Sequence, residues 1–372
     1  MKTIAILCGR YLPGFKDGGP VRTLINICDG LGEEYRIKII TNDRDHGDIN
    51  AYPNIVYDAP NKVGNAEVWY LKPKGFTFAT IKKLTADADL IYIFGPYDNY
   101  SYKTMWLKRF NKIKKPVVVA SMGTFSEGAI GIKSGKKKLF LAVCKFFGLF
   151  KKIVWSVTST REEEEVKKYI GKKAKCMIAE DLPRKVAPLK EKSQSDKLRV
   201  IFLSRICEKK NLAYAIEVVS KIKSEIAFDI YGIIEDKEYF EKCQTLLEAL
   251  PNNVKWAYKG EVATEKVVEV FSSYDAFLFP TLGENYGHVI FEALAGGCLP
   301  IISDTTPWGK LGAGVVKEYS LSDQDAFVGA IEGLADLDKE SLLKEQQNAN
   351  AFACKKYESS LRETGYRRVF DL

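Results

Sequence analysis

Two glutamates eight positions apart, Glu284 and Glu292, stand in the segment Pro280-Thr281-Leu282-Gly283-Glu284-Asn285-Tyr286-Gly287-His288-Val289-Ile290-Phe291-Glu292. The first lies in a loop behind the apolar run Ala276–Phe279. The second lies on the helix that the pattern of His288–Ala295 predicts. A loop carboxylate can accept hydrogen bonds from sugar hydroxyls, and a helical one can take a ribose diol in the same way. Between them, Tyr286-Gly287 predicts a turn whose backbone faces a ligand. The helix start offers its free N–H groups to a phosphate.

Two further sites suit an anion. Arg205 and Lys210 follow the predicted strand Leu198–Ser204. An arginine fork and a lysine point charge at a strand end can converge on one diphosphate, although a solvated basic loop has the same composition. Gly18-Gly19-Pro20 opens the predicted helix Val21–Leu31. Glycine permits close backbone approach, and the helix start favours negative charge, although a tight turn also uses such a pair. Asp87-Ala88-Asp89 has the form of a metal-binding pair, but it leads directly into the apolar run Leu90–Phe94. It reads as a helix end, and no metal or resident cofactor is expected.

These residues need elements to position them. Apolar runs of strand length occur at Thr3–Cys8, Arg36–Thr41, Leu90–Phe94, Pro116–Ser121 and Ile153–Val157, with helical patterns such as Arg161–Ile170 between them. From Pro183 to Lys197 the chain is polar, unperiodic and carries two prolines, as a linker does. The alternation then restarts: strand Leu198–Ser204, helix Leu212–Ile222, strand Ala227–Tyr231, helix Lys237–Leu250, strand Ala276–Phe279, helix His288–Ala295, strand Leu299–Ile302. Two doubly wound α/β domains are predicted, at 1–185 and 198–372. The helical segment Glu340–Phe370 is left open to return to the first domain.

Bulk properties agree. A chain of 372 residues suits two such domains, and 46% hydrophobic with 28% charged residues excludes a predominantly disordered one. The eight cysteines are scattered without a Cys-x-x-Cys pair, most in apolar surroundings, and read as buried hydrophobes in a reducing compartment. The N-terminal run is too short for a signal peptide, and no apolar stretch spans a bilayer. A cytoplasmic location is expected. The net charge of +8 points to an anionic partner.

The Glu284-x7-Glu292 segment resembles the signature of the family 4 (group 1) retaining glycosyltransferases of GT-B architecture. Arg205 and Lys210 match that family's Arg-x4-Lys pair, and Gly18-Gly19 its first-domain glycine loop. The stretch Ser121-Met122-Gly123-Thr124-Phe125-Ser126-Glu127-Gly128-Ala129-Ile130, with the lysine-rich run behind it, is similar to members that build bacterial surface polysaccharides. The resemblance implies two Rossmann-like domains facing across a cleft. It implies a nucleotide-diphosphate sugar as co-substrate, no metal, and a glycan acceptor that is lipid-linked. It places Glu284 on the donor sugar, Glu292 on the ribose, Arg205 and Lys210 on the diphosphate, and the Gly18 and Gly19 backbone against the phosphate. Asn285, Tyr286, Gly287 and His288 would line the pocket, and Gly123 and Thr124 the acceptor side. The chain departs from the pattern where Met122 stands for an arginine of the relatives, and where Asn211 stands for a glycine. The first-domain histidine that many members carry near the sugar is also in question: the chain holds only His46, in an acidic loop, and His288.

Lys133 to Lys152 contains seven lysines and no acidic residue around two aromatic-rich apolar runs. A basic apolar helix of this kind can lie on an anionic membrane surface, with Lys136, Lys137, Lys138, Lys145, Phe146 and Phe147 in contact. The surface met would be the inner face of the plasma membrane. A core helix with a solvated basic edge is the plainer alternative. Nucleic acid is not expected, because no recognised binding module accompanies the charge. Two other functions stay open at this level: a phosphorylase or synthase using a soluble acceptor, and a non-catalytic nucleotide-binding scaffold.

Overall fold

The structure is a computed structural model. It describes the whole chain except residues 15, 17, 127–128, 131–133, 190–194 and 313, and the side chain of residue 134. Glu127, Gly128, Lys133 and the middle of the expected linker therefore lie outside the described residues. The chain divides into two compact units, Met1–Arg184 with Ser360–Leu372, and Lys185–Ser359.

Unit 1 is built on eight strands: β1 (Thr3–Leu7), β2 (Arg36–Asn42), β3 (Asn61–Val63), β4 (Ala66–Leu71), β5 (Leu90–Phe94), β6 (Val117–Ala120), β7 (Val154–Val157) and β8 (Lys175–Ile178). Helices α1 (Gly19–Leu31), α2 (Phe78–Leu84), α3 (Asn99–Arg109), α4 (Ser134–Phe146) and α5 (Thr160–Ile170) lie between them in sequence. The sheet order is β3-β4-β2-β1-β5-β6-β7-β8. Every pairing is parallel except β3 with β4, a hairpin that the strand patterns above did not include. β1 and β5 are buried along their whole length. Helices cover both faces of such a strand, so its sequence is a continuous apolar run rather than an alternating one.

Unit 2 repeats the plan with β9 (Leu198–Leu203), α6 (Leu212–Ser220), β10 (Ile226–Tyr231), α7 (Lys237–Glu248), β11 (Val254–Gly260), α8 (Val267–Ser272), β12 (Ala276–Phe279), α9 (His288–Ala295), β13 (Leu299–Ser303), α10 (Trp308–Leu311), β14 (Lys317–Tyr319) and α11 (Gln324–Ala335). Its sheet is parallel throughout, in the order β11-β10-β9-β12-β13-β14. The order reverses direction beside β9, with β10 on one side and β12 on the other. In open α/β sheets, ligands bind at the carboxyl ends of the strands that flank such a switch point. The segments after β9 and β12 are those holding Arg205, Lys210 and Glu284.

The final helical stretch is two helices, α12 (Lys339–Arg362) and α13 (Gly365–Phe370). Phe370 packs in unit 1, edge-on to Tyr35 and Tyr92 with ring centroids 5.4 and 5.8 Å apart. The described start of the expected linker is docked rather than free. Asn350 accepts a bond from the Leu189 N–H at 3.0 Å and donates to the Ala187 carbonyl at 3.1 Å. Composition identifies this segment as irregular, but its packing depends on a residue more than a hundred positions away.

All eight cysteines are thiols rather than halves of disulfides. Cys8, Cys28, Cys144, Cys243 and Cys298 are buried, as apolar surroundings imply. Burial pushes the Cys144 and Cys243 thiols up to about 11.

Candidate active site

The loop after β9 forms a 3-10 turn, Glu208–Lys210, and then Asn211 takes a left-handed conformation (φ 60°, ψ 45°) before α6 begins. Asparagine and glycine are the residues that adopt this conformation most cheaply. That is why asparagine serves at a position where the resemblance points to glycine. The Asn211 side chain donates to the Pro280 carbonyl at 2.9 Å. The Leu282 N–H donates to the Lys209 carbonyl at 2.9 Å. These two bonds stitch the loop after β9 to the loop after β12.

Across that seam, Lys210 Nζ donates to Glu284 Oε1 in a close ion pair. The Thr281 hydroxyl also lies 3.2 Å from Glu284 Oε1, and Lys210 Nζ sits 5.5 Å from the Phe279 ring centre. Thr281 is itself held through its carbonyl, which accepts from Ser303 Oγ at 2.5 Å and Thr305 Oγ1 at 2.8 Å. The loop carboxylate and the strand-end lysine, which the sequence assigns to different parts of a donor, thus meet in one cluster, held by hydroxyls at and just beyond the end of β13.

Arg205 is placed differently. It is exposed and forms an ion pair with Glu235, in the loop after β10. The two loops run side by side, with the Ile206 N–H donating to the Ile233 carbonyl at 2.8 Å. Gly232 permits this approach: a Cβ there would stand 1.7 Å from the Ser204 carbonyl oxygen.

Glu292 lies on α9 and is 3% exposed, inside unit 2. α9 opens at Gly287, left-handed with φ 79°, and no side chain caps it. The Ile290 N–H donates to the Gly287 carbonyl at 2.8 Å, and the positive end of the helix dipole lies at this start. The Tyr286 carbonyl accepts from Trp308 Nε1, and the Tyr286 ring lies 4.7 Å from that of His288 and 5.4 Å from that of Trp308. Asn285 is exposed at the loop tip.

In unit 1, Gly18 takes φ 64°, and α1 follows with Pro20 in its first turn. Among the described residues, a Cβ at Gly18 or Gly19 would meet nothing within 4 Å. Met122 and Gly123 are both left-handed, with φ 54° and 64°. The Gly123 N–H is held by Glu162 Oε1, while Glu162 Oε2 accepts from the Thr158 N–H at 2.6 Å and hydroxyl at 2.9 Å. Thr124 bonds back to the Ser121 carbonyl through its hydroxyl at 2.6 Å. Beside Glu162, Asp181 is pushed up to about 7 by burial and then by the Glu162 charge, against a lowering Thr23 hydrogen bond.

Sequence reasoning missed Glu162, Thr281, Gly232 and Trp308. Only Glu162 had a local signal: Ser159 caps α5 and Glu162 stands three residues on, the form of a capping box. His46 is exposed, as its polar loop implies. Asp87 and Asp89 bond Lys38 Nζ and the Thr3 N–H at 2.9 and 2.8 Å, a strand-fastening role. Among the described residues no three His, Cys, Asp or Glu side chains cluster as metal ligands do.

Residues 184–350 match the family model described as glycosyl transferases group 1. No curated protein matches the chain. Among solved structures, HepE of Anabaena, in complex with UDP and glucose, aligns at 14% identity with a TM-score of 0.72, over 100% of both chains. The sucrose-phosphate synthase of Thermosynechococcus elongatus aligns at 14% and 0.70, again over 100% of both. The trehalose-phosphate synthase of Burkholderia xenovorans aligns at 10% and 0.65, also over 100% of both. Identities this low speak for the fold, and the fold is that of the GT-B glycosyltransferases. The match to group 1 glycosyltransferases thus falls on residues 184–350, within a chain whose two α/β units have the GT-B fold.

Proposed function

We propose that this chain is a retaining glycosyltransferase that moves a sugar from a nucleotide-diphosphate sugar to a glycan acceptor. The observation that carries the reading is the Lys210–Glu284 ion pair at the switch point of the matched module, beside the uncapped start of α9. Cleavage of the donor develops negative charge on the leaving phosphate. Lys210, Arg205 and the α9 N–H groups are the protein groups suited to stabilise it, without a metal ion. Glu284 then serves the sugar, and Glu292 the ribose.

Retention rests on the resemblance of the Glu284-x7-Glu292 segment. In that reading, the acceptor attacks on the face from which the phosphate departs, and the phosphate takes its proton. The acceptor is proposed to be a lipid-linked glycan in bacterial surface polysaccharide assembly: capsule, O-antigen or exopolysaccharide. The support is the basic α4 region, which would hold the enzyme on an anionic membrane surface. Gly123 and Thr124 are the proposed acceptor-side residues, on a loop that Glu162 holds from behind.

A screen of UDP-, GDP- and ADP-sugars, with chelator present, tests this by thermal shift and by product release. One donor should stabilise the protein and be turned over slowly, and Glu284→Ala should abolish the turnover. Silence with every donor would instead favour a nucleotide-binding scaffold. Transfer to a soluble sugar phosphate in preference to a lipid-linked glycan would favour a synthase.

A further inference from the structure

In unit 1, α2, α3 and α4 line an apolar cavity of about 410 Å³ that is open on one side. Phe78, Tyr102, Trp106, Phe140, Val143 and Phe147 are among its lining residues, and among the described residues no polar atom lines it. Phe78, Val143 and Phe147 are 42%, 45% and 42% exposed, so the cavity opens at the surface. Such a volume lies in the range of ligand sites. A mouth rimmed by aromatic side chains left in water is costly unless something covers it.

The mouth continues onto α4. Leu139, Val143 and Phe146 follow at helical spacing along its outer face and are 67%, 45% and 85% exposed. Lys136, Lys138 and Lys145 are exposed at the edges of this stripe. Lys103 Nζ lies 6.0 Å from the Phe78 ring centre and 5.8 Å from that of Tyr102, beside two of the lining rings, and donates one hydrogen bond to the Phe76 carbonyl at 2.6 Å. None of the three helices contains an acidic residue. An apolar stripe between lysines fits the plane of a membrane interface, and an apolar cavity with a cationic rim fits one chain of an anionic lipid.

We infer that this cavity receives one hydrocarbon chain of an anionic bilayer phospholipid, whose headgroup meets Lys103 and the α4 lysines. The inference rests on the membrane-surface reading above and adds a specific site to it. The site differs from mere adsorption, because the chain must leave the bilayer plane and lie against Trp106. Trp106 is well placed to report this: its ring is 4.7 Å from that of Phe110 and 5.3 Å from that of Phe147.

The experiment uses the full chain and vesicles of phosphatidylcholine with or without an equal part of phosphatidylglycerol, the latter brominated in mid-chain. Co-sedimentation reads binding, and tryptophan fluorescence reads contact with the bromines. The expected result is binding to the anionic vesicles only, with quenching that Trp106→Phe removes. Val143→Asp should abolish that quenching while leaving donor hydrolysis unchanged. Replacing Lys136, Lys138 and Lys145 together by glutamate should weaken binding roughly tenfold or more. If the chain binds anionic vesicles through these lysines but Trp106 is not quenched, the cavity inference fails and the membrane reading stands. If it binds no vesicle, both fail.

Discussion

Lys210 and Glu284 form an ion pair from which water is largely removed, their side chains only 10% and 13% exposed. One residue closes the turn after β9 and the other stands in the loop after β12, so the pair spans the switch point of the unit 2 sheet. Removing one partner of a buried pair leaves the other charge uncompensated. Lys210→Met is expected to destabilise unit 2 by about 3 kcal/mol. Lys210→Met with Glu284→Gln should recover most of that stability in urea unfolding. Under the proposed reaction, turnover should fall at least about a hundredfold in both. Recovery of activity in the double variant would show that the pair is structural alone.

Asn211 joins the same two loops by its conformation and by its amide. Asn211→Val is expected to cost about 1–2 kcal/mol for the left-handed backbone, and further for the lost bond to Pro280. Asn211→Gly keeps the backbone and should change the melting temperature least. A valine variant as stable as wild type would contradict the geometry.

Gly287 starts α9 with φ 79°, and a Cβ there would come within 3.0 Å of Ile290 Cδ1 and 3.4 Å of the Trp308 ring. Gly287→Ala is therefore expected to shift the first turn whose N–H groups suit a phosphate. Thermal-shift titration with the preferred nucleotide should show affinity reduced by about tenfold or more. Retention of full affinity would place the phosphate elsewhere.

Asp181 gives the stability of the protein a pH dependence. Its folded-state value of about 7 is raised, by burial first and then by Glu162, above the ordinary carboxylate value. The native state thus holds a proton that the unfolded chain releases near pH 4. Stability from this group is complete below the unfolded value and declines as pH rises to about 7, then levels. Thermal melts between pH 4 and 8 should show this decline in wild type, and Asp181→Asn should flatten it.

Much of unit 2 was legible because its strands are short apolar runs and its helices periodic. Ala276–Phe279 and His288–Ala295 emerge with the predicted bounds, and Leu198 and Leu212 begin their elements as expected. The β3–β4 hairpin and β14 were not legible. β3 and β14 have three residues each, none of them buried, so they carry no apolar run to detect.

The sequence by itself determined the two α/β halves, the charged and glycine-bearing segments at strand ends, and the lysine-rich apolar helix. Those properties are local: they depend on period, composition and neighbours within a turn or two. Only the tertiary structure decided which charges meet. Lys210 reaches Glu284, 74 positions on, whereas Arg205 turns to Glu235. Likewise Glu162 holds the Gly123 N–H across 39 residues, and three successive helices line the Trp106 cavity. Parallel sheets bring strand ends together through long crossovers, so the partner of a side chain at such an end is set by strand order and not by spacing along the chain.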